Sequence, residues 1–562
     1  MGSPLRVAVL GWSDTLAEYG LFLVMAYLTR EMEINFRHAA AIVNLFWGFT
    51  AILPVPIRFL RNRKRIPDRW MVLVSSLAYV LGLGFLFFST LEPKDKKTTL
   101  VYASLPLISL AKSGYVVSLQ KLISDEMGSL VNSVIHCSVG IGVTFLVNII
   151  GLTISYLVKN WSTRFKVPTL CMVIATLIFL TGFGSYGRER TDFLTKLFDM
   201  VQKLLTKVIE FVSTVLDIVA KIAFCPLRLL CCCFAKKTQE QSQQSNATIS
   251  RIEETKFIIS LFPICLLGLI SSLGNTYFLE QAYSMKQKIG FFKVPYVLLL
   301  SMYKLANYLF PKLYFDTVDS YIPSCCTSLK KVLNRIGMAL SLLCALLCCV
   351  IAAKVERKRI DIIVNKNICD PNKITEPVDM SILYLVPQFF LLGGFYGLAY
   401  ESIERFLKDH QTPPSLKPYM VDSAIGVFGL GNIGSVFLVY LVYKFTSKQG
   451  NSWFDKNINC SHLDKYYWLL SVWIAINIVW YLFVSILYQP KEKPTTTSNQ
   501  EGGEEQEENL WNSLKKLAKK CCVFLPEKVP DCCCSLCCCC CCCCPTSGDP
   551  RKKNYQAERL AT

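Results

Sequence analysis

Asp14, Glu18 and Lys112 are ionisable residues set inside long apolar segments of a 562-residue chain. A charge in such a segment is costly, so it is placed where it faces a cavity, a partner or an ion path. Glu280, Lys304 and Asp422 share the setting. A carboxylate and an ammonium facing one cavity would bind a zwitterion or an organic anion. They would equally well neutralise each other, because buried charges persist mainly as pairs. Glu280 and Asp422 fall near segment ends, where the plainer expectation is a side chain reaching back to the interface. Tyr115, Asn275, Tyr277, Tyr396 and Tyr400 would add hydrogen bonds and aromatic lining wherever they face inward. Each alone is a weaker sign, since aromatic residues pack in any apolar bundle.

The elements that must hold these groups are set by composition. The chain is 52% hydrophobic and only 18% charged. Its apolar residues are bunched into runs of roughly 18–25, the length that crosses a hydrocarbon core of about 30 Å. The expected fold is an all-α polytopic membrane protein. Its spans are read at 6–28, 39–59, 70–90, 98–119, 133–157 and 166–185, then 257–280, 292–313, 331–353, 379–402, 419–446 and 465–489. Twelve spans make two six-helix bundles, residues 1–186 and 257–490, and put both termini on one side. Arg58, Arg61, Arg63, Lys64, Arg65 and Arg69 follow the second span and mark that side as cytosolic. Lys354, Arg357, Lys358 and Arg359, read as the loop after span nine, argue the other way. No cleavable signal peptide is expected, so the first span stays in place. Small residues in span eleven, Gly431, Gly434 and Ser435, suit close helix packing.

Residues 187–256 join the halves. Leu194, Leu197, Val201, Leu205, Val208, Val212, Val215, Val219 and Ile222 recur every three or four positions and form one apolar stripe. Glu210, Asp217 and Lys221 make a thirteenth span too costly, at about 2.5–3.5 kcal/mol each near a bilayer centre. The expectation is a cytosolic amphipathic helix. Residues 491–562 form a polar, acidic tail expected to be disordered, with runs of cysteine.

The 27 cysteines are not a disulfide framework, since thirteen fall after Lys520 and adjacent cysteines cannot all pair with good geometry. Eight in a row also suit no tetrahedral metal site. Cys231, Cys232, Cys233, Cys521, Cys522, Cys537 and Cys538 are read as palmitoylation candidates, which would hold cytosolic elements against the bilayer. Asn459 of the sequon Asn459-Cys460-Ser461 is a glycosylation candidate in an outside loop, and Cys369 and Cys460, both outside, are candidates for a disulfide. No phosphate-binding glycine loop, catalytic triad or zinc motif occurs, and only four histidines are present. The sequence calls for no enzymatic activity, no cofactor and no metal. The net charge of +19 sits mostly in loops and is not a nucleic-acid footprint. The expected partners are a small-molecule solute, the lipid bilayer and, where coupling holds, protons.

Several stretches resemble the plant peptide/nitrate transporter family, the proton-dependent oligopeptide transporter branch of the major facilitator superfamily. They are Tyr27-Leu28-Thr29, Val167-Pro168, Arg335-Ile336-Gly337 leading to Val355-Glu356, Met380-Ser381-Ile382, Pro387-Gln388-Phe389-Phe390-Leu391, Gly431-Asn432 and Leu463 to Leu470. The resemblance implies two six-helix bundles around a central cavity, alternating access and a long cytosolic connector. It also implies that the first and fourth spans line the cavity. Members carry a Glu-x-x-Glu-Arg motif in the first span. Here Gly11, Asp14 and Thr15 stand in its place, and Glu18 lies one turn on. Val116 stands where the fourth span has a lysine, with Lys112 four residues earlier on the same face. Tyr396 stands at a glutamate of the tenth span, and Lys288 at a histidine found in some nitrate-carrying members. The usual proton-coupling set is thus eroded.

The expected function is secondary active transport of a small polar solute, of the nitrate, peptide or hormone-like organic anion kind, in the plasma or vacuolar membrane. The alternative is a transport-dead membrane scaffold or sensor. A fold of this kind does not name the solute.

Overall fold

The computed structural model describes residues 3–64, 66–127, 134–183, 268–289, 292–322, 327–366, 377–409, 419–448, 452–455 and 457–487. The first half comprises α1 (Leu5–Glu31), α2 (Phe36–Lys64), α3 (Asp68–Ser89), α4 (Lys94–Met127), α5 (Val134–Leu157) and α6 (Trp161–Gly182). The second half opens with α7, described as Gly274–Phe278 and Leu279–Ser284, and α8, Leu298–Pro311 continued by Lys312–Asp316 and Thr317–Tyr321. It closes with α9 (Thr327–Asn365), α10 (Val386–Asp409), α11 (Met420–Ser447) and α12 (Leu463–Leu487). Among the described residues nine helices are long and apolar enough to cross a membrane. The remaining expected spans, 133–157, 257–280 and 292–313, correspond to α5, to α7, described only from residue 268, and to α8.

The helices pack as an inside-out bundle would in lipid. α1 has 56% of its apolar window buried and α12 only 33%, which places α1 centrally and α12 at the rim. Leu146, Ile149, Ile174, Leu177, Phe437, Ile476 and Val479 are exposed on the outer faces, the surface that lipid tails would cover. Pro106 and Pro168 sit inside α4 and α6, tolerated because neighbouring helices shelter the freed backbone groups. α6 starts where the Asn160 side chain accepts a hydrogen bond from the Ser162 backbone N–H at 3.0 Å.

The two halves meet chiefly along α2 and α11. Gly48 of α2 and Gly429 of α11 lie against each other, and a Cβ on Gly48 would meet Ile433 Cγ1 at 2.8 Å and the Gly429 carbonyl at 3.0 Å. Within the second half, Gly431 of α11 lies directly on Gly268, with backbone on both sides of the contact. Asn44 Nδ2 donates to Ser435 Oγ at 3.1 Å across the same seam. The expected small-residue packing of span eleven is present.

At the face opposite the chain's start, short strands cap the second half. β1 (Met285–Lys286) pairs in parallel with β4 (Val378–Ser381), and β2 (Lys288–Ile289) pairs antiparallel with β3 (Phe292–Lys293). Beneath them, Arg359 is fully buried. Its guanidinium donates to both carboxylate oxygens of Glu356 at 2.7 and 2.8 Å, to Asn459 Oδ1 at 2.6 Å, to the Ile458 carbonyl at 3.0 Å and to Ser284 Oγ at 3.3 Å.

This network corrects two expectations. α9 continues to Asn365, so Lys354, Arg357, Lys358 and Arg359 lie in a helix and not in a loop. Arg359 is paired with Glu356, Arg357 lies near Asp361 and Asp464, and Lys358 donates to Tyr384 Oη. Asn459, read as a glycan acceptor, is 5% exposed and its side chain serves Arg359, so it presents no free amide to solvent. Cys460 beside it is disulfide-bonded; Cys369 lies outside the described residues. So do the connector stripe of 194–222, the acidic tail, and the lipidation candidates Cys231, Cys232, Cys233, Cys521, Cys522, Cys537 and Cys538.

Candidate functional site

Four of the charged residues expected inside the spans, Asp14, Glu18, Lys112 and Lys304, come together between the helices of the bundle. α1 carries Asp14 and Glu18 one turn apart, which places both on one helix face. Lys112 Nζ of α4 donates to Asp14 Oδ1 at 2.8 Å. Tyr79 Oη of α3 donates to the same oxygen at 2.8 Å. Lys304 Nζ of α8 donates to Glu18 Oε2 at 2.6 Å. Lys304 also lies over the rings of Tyr19 and Phe22, at 5.3 and 5.2 Å from their centroids. Thus one lysine from each half neutralises one carboxylate of α1, and the four charges sum to zero.

Burial grades the members. Lys112 is nearly enclosed, with 10% of its side chain exposed, whereas Glu18 and Lys304 keep 26% and 34%. A partly hydrated pair of this kind sits in an effective dielectric of about 20, where unit charges about 4 Å apart attract by about 4 kcal/mol. That is strong enough to order the site and weak enough for a charged ligand to exchange with either partner.

The other expected lining residues divide. Tyr115 is buried in the wall behind Asp14, bonded to Ser76 Oγ at 2.7 Å and edge-on to Tyr79. Tyr396 stands one layer behind the charges, edge-on to Tyr303 and tilted over Phe428 at 4.3 Å. Asn275 is half-buried in the π-helical turn of α7. Tyr277 is not a lining residue: it packs with Phe36, Phe454 and Tyr466 in an aromatic cluster. Tyr400 lines a cleft of about 460 Å³ between α8 and α10, together with Asn307, Lys312, Glu401 and Arg405. The cleft begins one turn along α8 from Lys304.

Glu280 and Asp422 are corrected most sharply. Neither reaches back to an interface. Glu280 of α7 is 3% exposed and accepts from Arg30 Nη2 at 3.0 Å and from Thr29 Oγ1 at 3.2 Å. Arg30 lies in the π-helical turn Tyr27–Glu31 of α1, and Glu280 lies two residues beyond the π-helical turn Gly274–Phe278 of α7, a turn type common at functional sites. Asp422 of α11 is fully buried and takes a bidentate contact from Arg58 of α2. Arg58 was expected to be only one of six orienting charges. Both pairs join the two halves. Arg30 ends α1, so Arg30–Glu280 closes the face opposite the chain's start, while Arg58, on the returning α2, closes the face where the chain begins. Glu18–Lys304 lies between. The sequence signal for these partners was present only as single charges in apolar context; which charge met which was not legible.

Known proteins place this arrangement. The sequence profile described as PTR2, the POT family, matches residues 69–468. The chain is 31% identical over 514 residues to Protein NRT1/PTR FAMILY 5.5 of Arabidopsis thaliana, covering 86% of this chain and 96% of that protein. It is 27% identical over 522 residues to Protein NRT1/PTR FAMILY 5.10 of the same plant, covering 86% and 92%. In fold it is similar to an auto-inhibited POT family peptide transporter, with TM-score 0.58, 13% identity, and 88% and 99% of the two chains covered. It is also similar to a POT family transporter solved with 5-aminolevulinic acid, with TM-score 0.55, 13% identity, and 86% and 95% covered. A helical bundle of two halves, with its charges gathered between them, thus has its sequence kin and its structural kin in one group, and the chain belongs to the POT family of membrane transporters.

Proposed function

We propose that the protein is a secondary carrier that moves a small polar solute by alternating access, with the site at Asp14, Glu18, Lys112 and Lys304. The observation that carries this reading is the placing of three ion pairs between the halves at three depths. Arg30–Glu280 and Arg58–Asp422 close opposite faces, and Glu18–Lys304 lies between them. A carrier that opens to one side at a time must break one outer pair while keeping the other, and the central charges are then exposed to that side alone. The solute is one that exchanges hydrogen bonds and charge with carboxylate, ammonium and phenol groups, such as an amino-carboxylate, a short peptide or a small organic anion. The cleft between α8 and α10 would continue its path to the face where the chain begins. That face is the cytosolic one in this reading, and the membrane is the plasma or vacuolar membrane.

Uptake by oocytes or proteoliposomes across a panel of nitrate, peptides and hormone-like acids tests this. Flux of at least one solute that falls about tenfold or more in Asp14→Asn and Lys112→Ala, in protein that still reaches the membrane, is the expected result. Absence of flux for the whole panel would favour a transporter-like scaffold instead.

A further inference from the structure

We propose that the cleft between α8 and α10 is a second station for the solute, and that it selects an organic acid with an apolar body, whose carboxylate is received by Lys312 and Tyr308. The inference rests on the transport reading above and narrows the class of solute that the path can take.

Lys304, Tyr308 and Lys312 follow one another at intervals of four residues and so share one face of α8. The rise from Lys304 to Lys312 is about 12 Å at about 1.5 Å per residue, towards the face where the chain begins. Gly393 and Gly397 bring α10 directly against α8, because a Cβ at either would press on the carbonyl of Tyr303 or Asn307. From that contact onward the cleft opens, with Tyr308, Pro311 and Tyr400 as an apolar wall and Lys312 beside it. Tyr400 lies within electrostatic reach of Asp422, so the cleft extends to the layer of the Arg58–Asp422 pair. Its volume of about 460 Å³ falls in the range of sites for organic molecules, about 300–1,000 Å³, and exceeds what an inorganic oxyanion fills.

Among the described residues, one ammonium of the cleft is not held by a carboxylate. Arg405 donates to Glu401 at 2.8 Å and to Asp319 at 2.9 Å, and Lys330 reaches Asp319 at 3.4 Å, so these four charges cancel. Lys312 donates instead to a phenol, Tyr308 Oη at 2.7 Å, and its ammonium lies 5.0 Å from the centre of the Tyr308 ring. Asp316, one turn further along, is exposed and within electrostatic reach, but the bond to Tyr308 draws Lys312 the other way, towards Lys304. The phenol accepts from Lys312, which leaves its own O–H to donate. An ammonium and a phenol O–H side by side are the complement of a carboxylate. Lys312 also opens the π-helical turn Lys312–Asp316, an irregularity common at functional sites.

The solute then moves along α8 from one cation to the next. Its carboxylate leaves the central charges and is met by Lys312 and Tyr308, while its body lies along Pro311 and Tyr400. A bare oxyanion gains only the two donors, and a neutral amide of the same shape gains only the wall. Retention in the cleft therefore needs both ends of the molecule.

The experiment is protection of the cleft from labelling. The full chain carrying Asn307→Cys, in phosphatidylcholine nanodiscs at about pH 7.5, where carboxylates and lysine are both charged, is treated with a maleimide and corrected for the labelling of the parent chain's own cysteines. The probes are 3-phenylpropanoate, its neutral amide 3-phenylpropanamide, and nitrate. The acid is expected to halve the labelling at a concentration at least about fivefold below either of the others. Adding Lys312→Gln should raise the acid's value about fivefold and leave the amide's unchanged, and Lys312→Arg should restore it. Should Lys312→Gln fail to fold, Tyr308→Phe is read in its place, with a rise of about threefold for the acid alone. Equal protection by acid and amide, no protection by any probe, or protection indifferent to Lys312→Gln overturns the proposal, and flux measured on the same chain leaves the transport reading standing. Phosphatidylglycerol that competes with the acid only while Lys312 is present also overturns it, by making the cleft a lipid headgroup site. Protection that depends on Lys312 in a chain that moves no solute removes the transport reading and leaves the cleft as a binding site for organic acids.

Discussion

Glu18 of α1 and Lys304 of α8 meet at 2.6 Å across the boundary between the two halves of the bundle, between two other inter-half pairs. Arg30–Glu280 joins α1 to α7 at one face, and Arg58–Asp422 joins α2 to α11 at the other. The same pair of halves is thus held by charge at both ends and at the centre. Each pair has one partner that belongs to the first half and one that belongs to the second, so motion of the halves acts on all three.

The two outer pairs should control opposite faces. Asp422→Asn removes one partner of a contact whose arginine is partly exposed, so the loss is about 1–3 kcal/mol and not the full cost of breaking a dry pair. That shifts the balance between closed and open by about tenfold. A cysteine introduced at Asn307, in the cleft between α8 and α10, is expected to label about tenfold faster in Asp422→Asn from the face where the chain begins. Glu280→Gln should not increase that labelling. Equal labelling of both variants would remove the assignment of pairs to faces.

Arg359 is expected to be the least replaceable charge of the second half. It is wholly buried with Glu356, and truncation to Ala would leave that carboxylate uncompensated, a loss of about 3–5 kcal/mol. Glu356→Gln should cost less, because Arg359 keeps Asn459, Ile458 and Ser284 as acceptors. Thermal unfolding in detergent orders the variants. A melting point for Arg359→Ala equal to or above that of Glu356→Gln would contradict the network as described.

At Gly431 a side chain has nowhere to go. A Cβ there would press on the backbone of Gly268 and Leu269, which cannot rotate away as a side chain would. Gly431→Ala must therefore push α11 from α7, and a loss of about 1–3 kcal/mol is expected from overpacking. Gly84→Ala is the control, since nothing lies within 4 Å of a Cβ at that position. The two are compared by melting point and by the fraction of protein that elutes as a single species.

Asp379 gives a pH dependence outside the spans. Hydrogen bonds from Lys286 and then Lys366 lower its carboxyl below the ordinary value of 3.8. A lowered folded value means that the contribution to stability is full above the unfolded value and is lost as pH falls through the folded one. The strand β4 should therefore loosen from β1 and from the end of α9 only at strongly acid pH. Asp379→Asn is expected to flatten the acid limb of melting point against pH and leave the neutral plateau in place. An acid limb identical to that of the wild type would show that the contact carries no linkage.

Much of the architecture was legible from residues alone. Apolar runs of spanning length are a one-dimensional property, since a bilayer tests each segment separately for length and charge. The positions of Asp14, Glu18 and Lys112 within spanning segments could be read in the same way. Small residues at Gly431 and Ser435 announced close packing, because only small side chains permit it. The length of α9 was not legible. Lys354 to Arg359 have the composition of a loop after a span, yet the helix runs through them to Asn365, with Arg359 turned inward onto Glu356.

Pairing was decided by tertiary structure. Arg58 and Asp422 are 364 positions apart, Arg30 and Glu280 are 250, and no local rule links them. Taken singly, each is a charge near a span end, and the sequence favours an interfacial side chain. Lys304 likewise reads as one cation in an apolar helix. The sequence determined that charges enter the bundle and at what depth, because helix rise and hydropathy set depth. Only the packing of one half against the other decided which opposite charges meet, because an ion pair depends on distances of a few ångströms between helices that are remote along the chain.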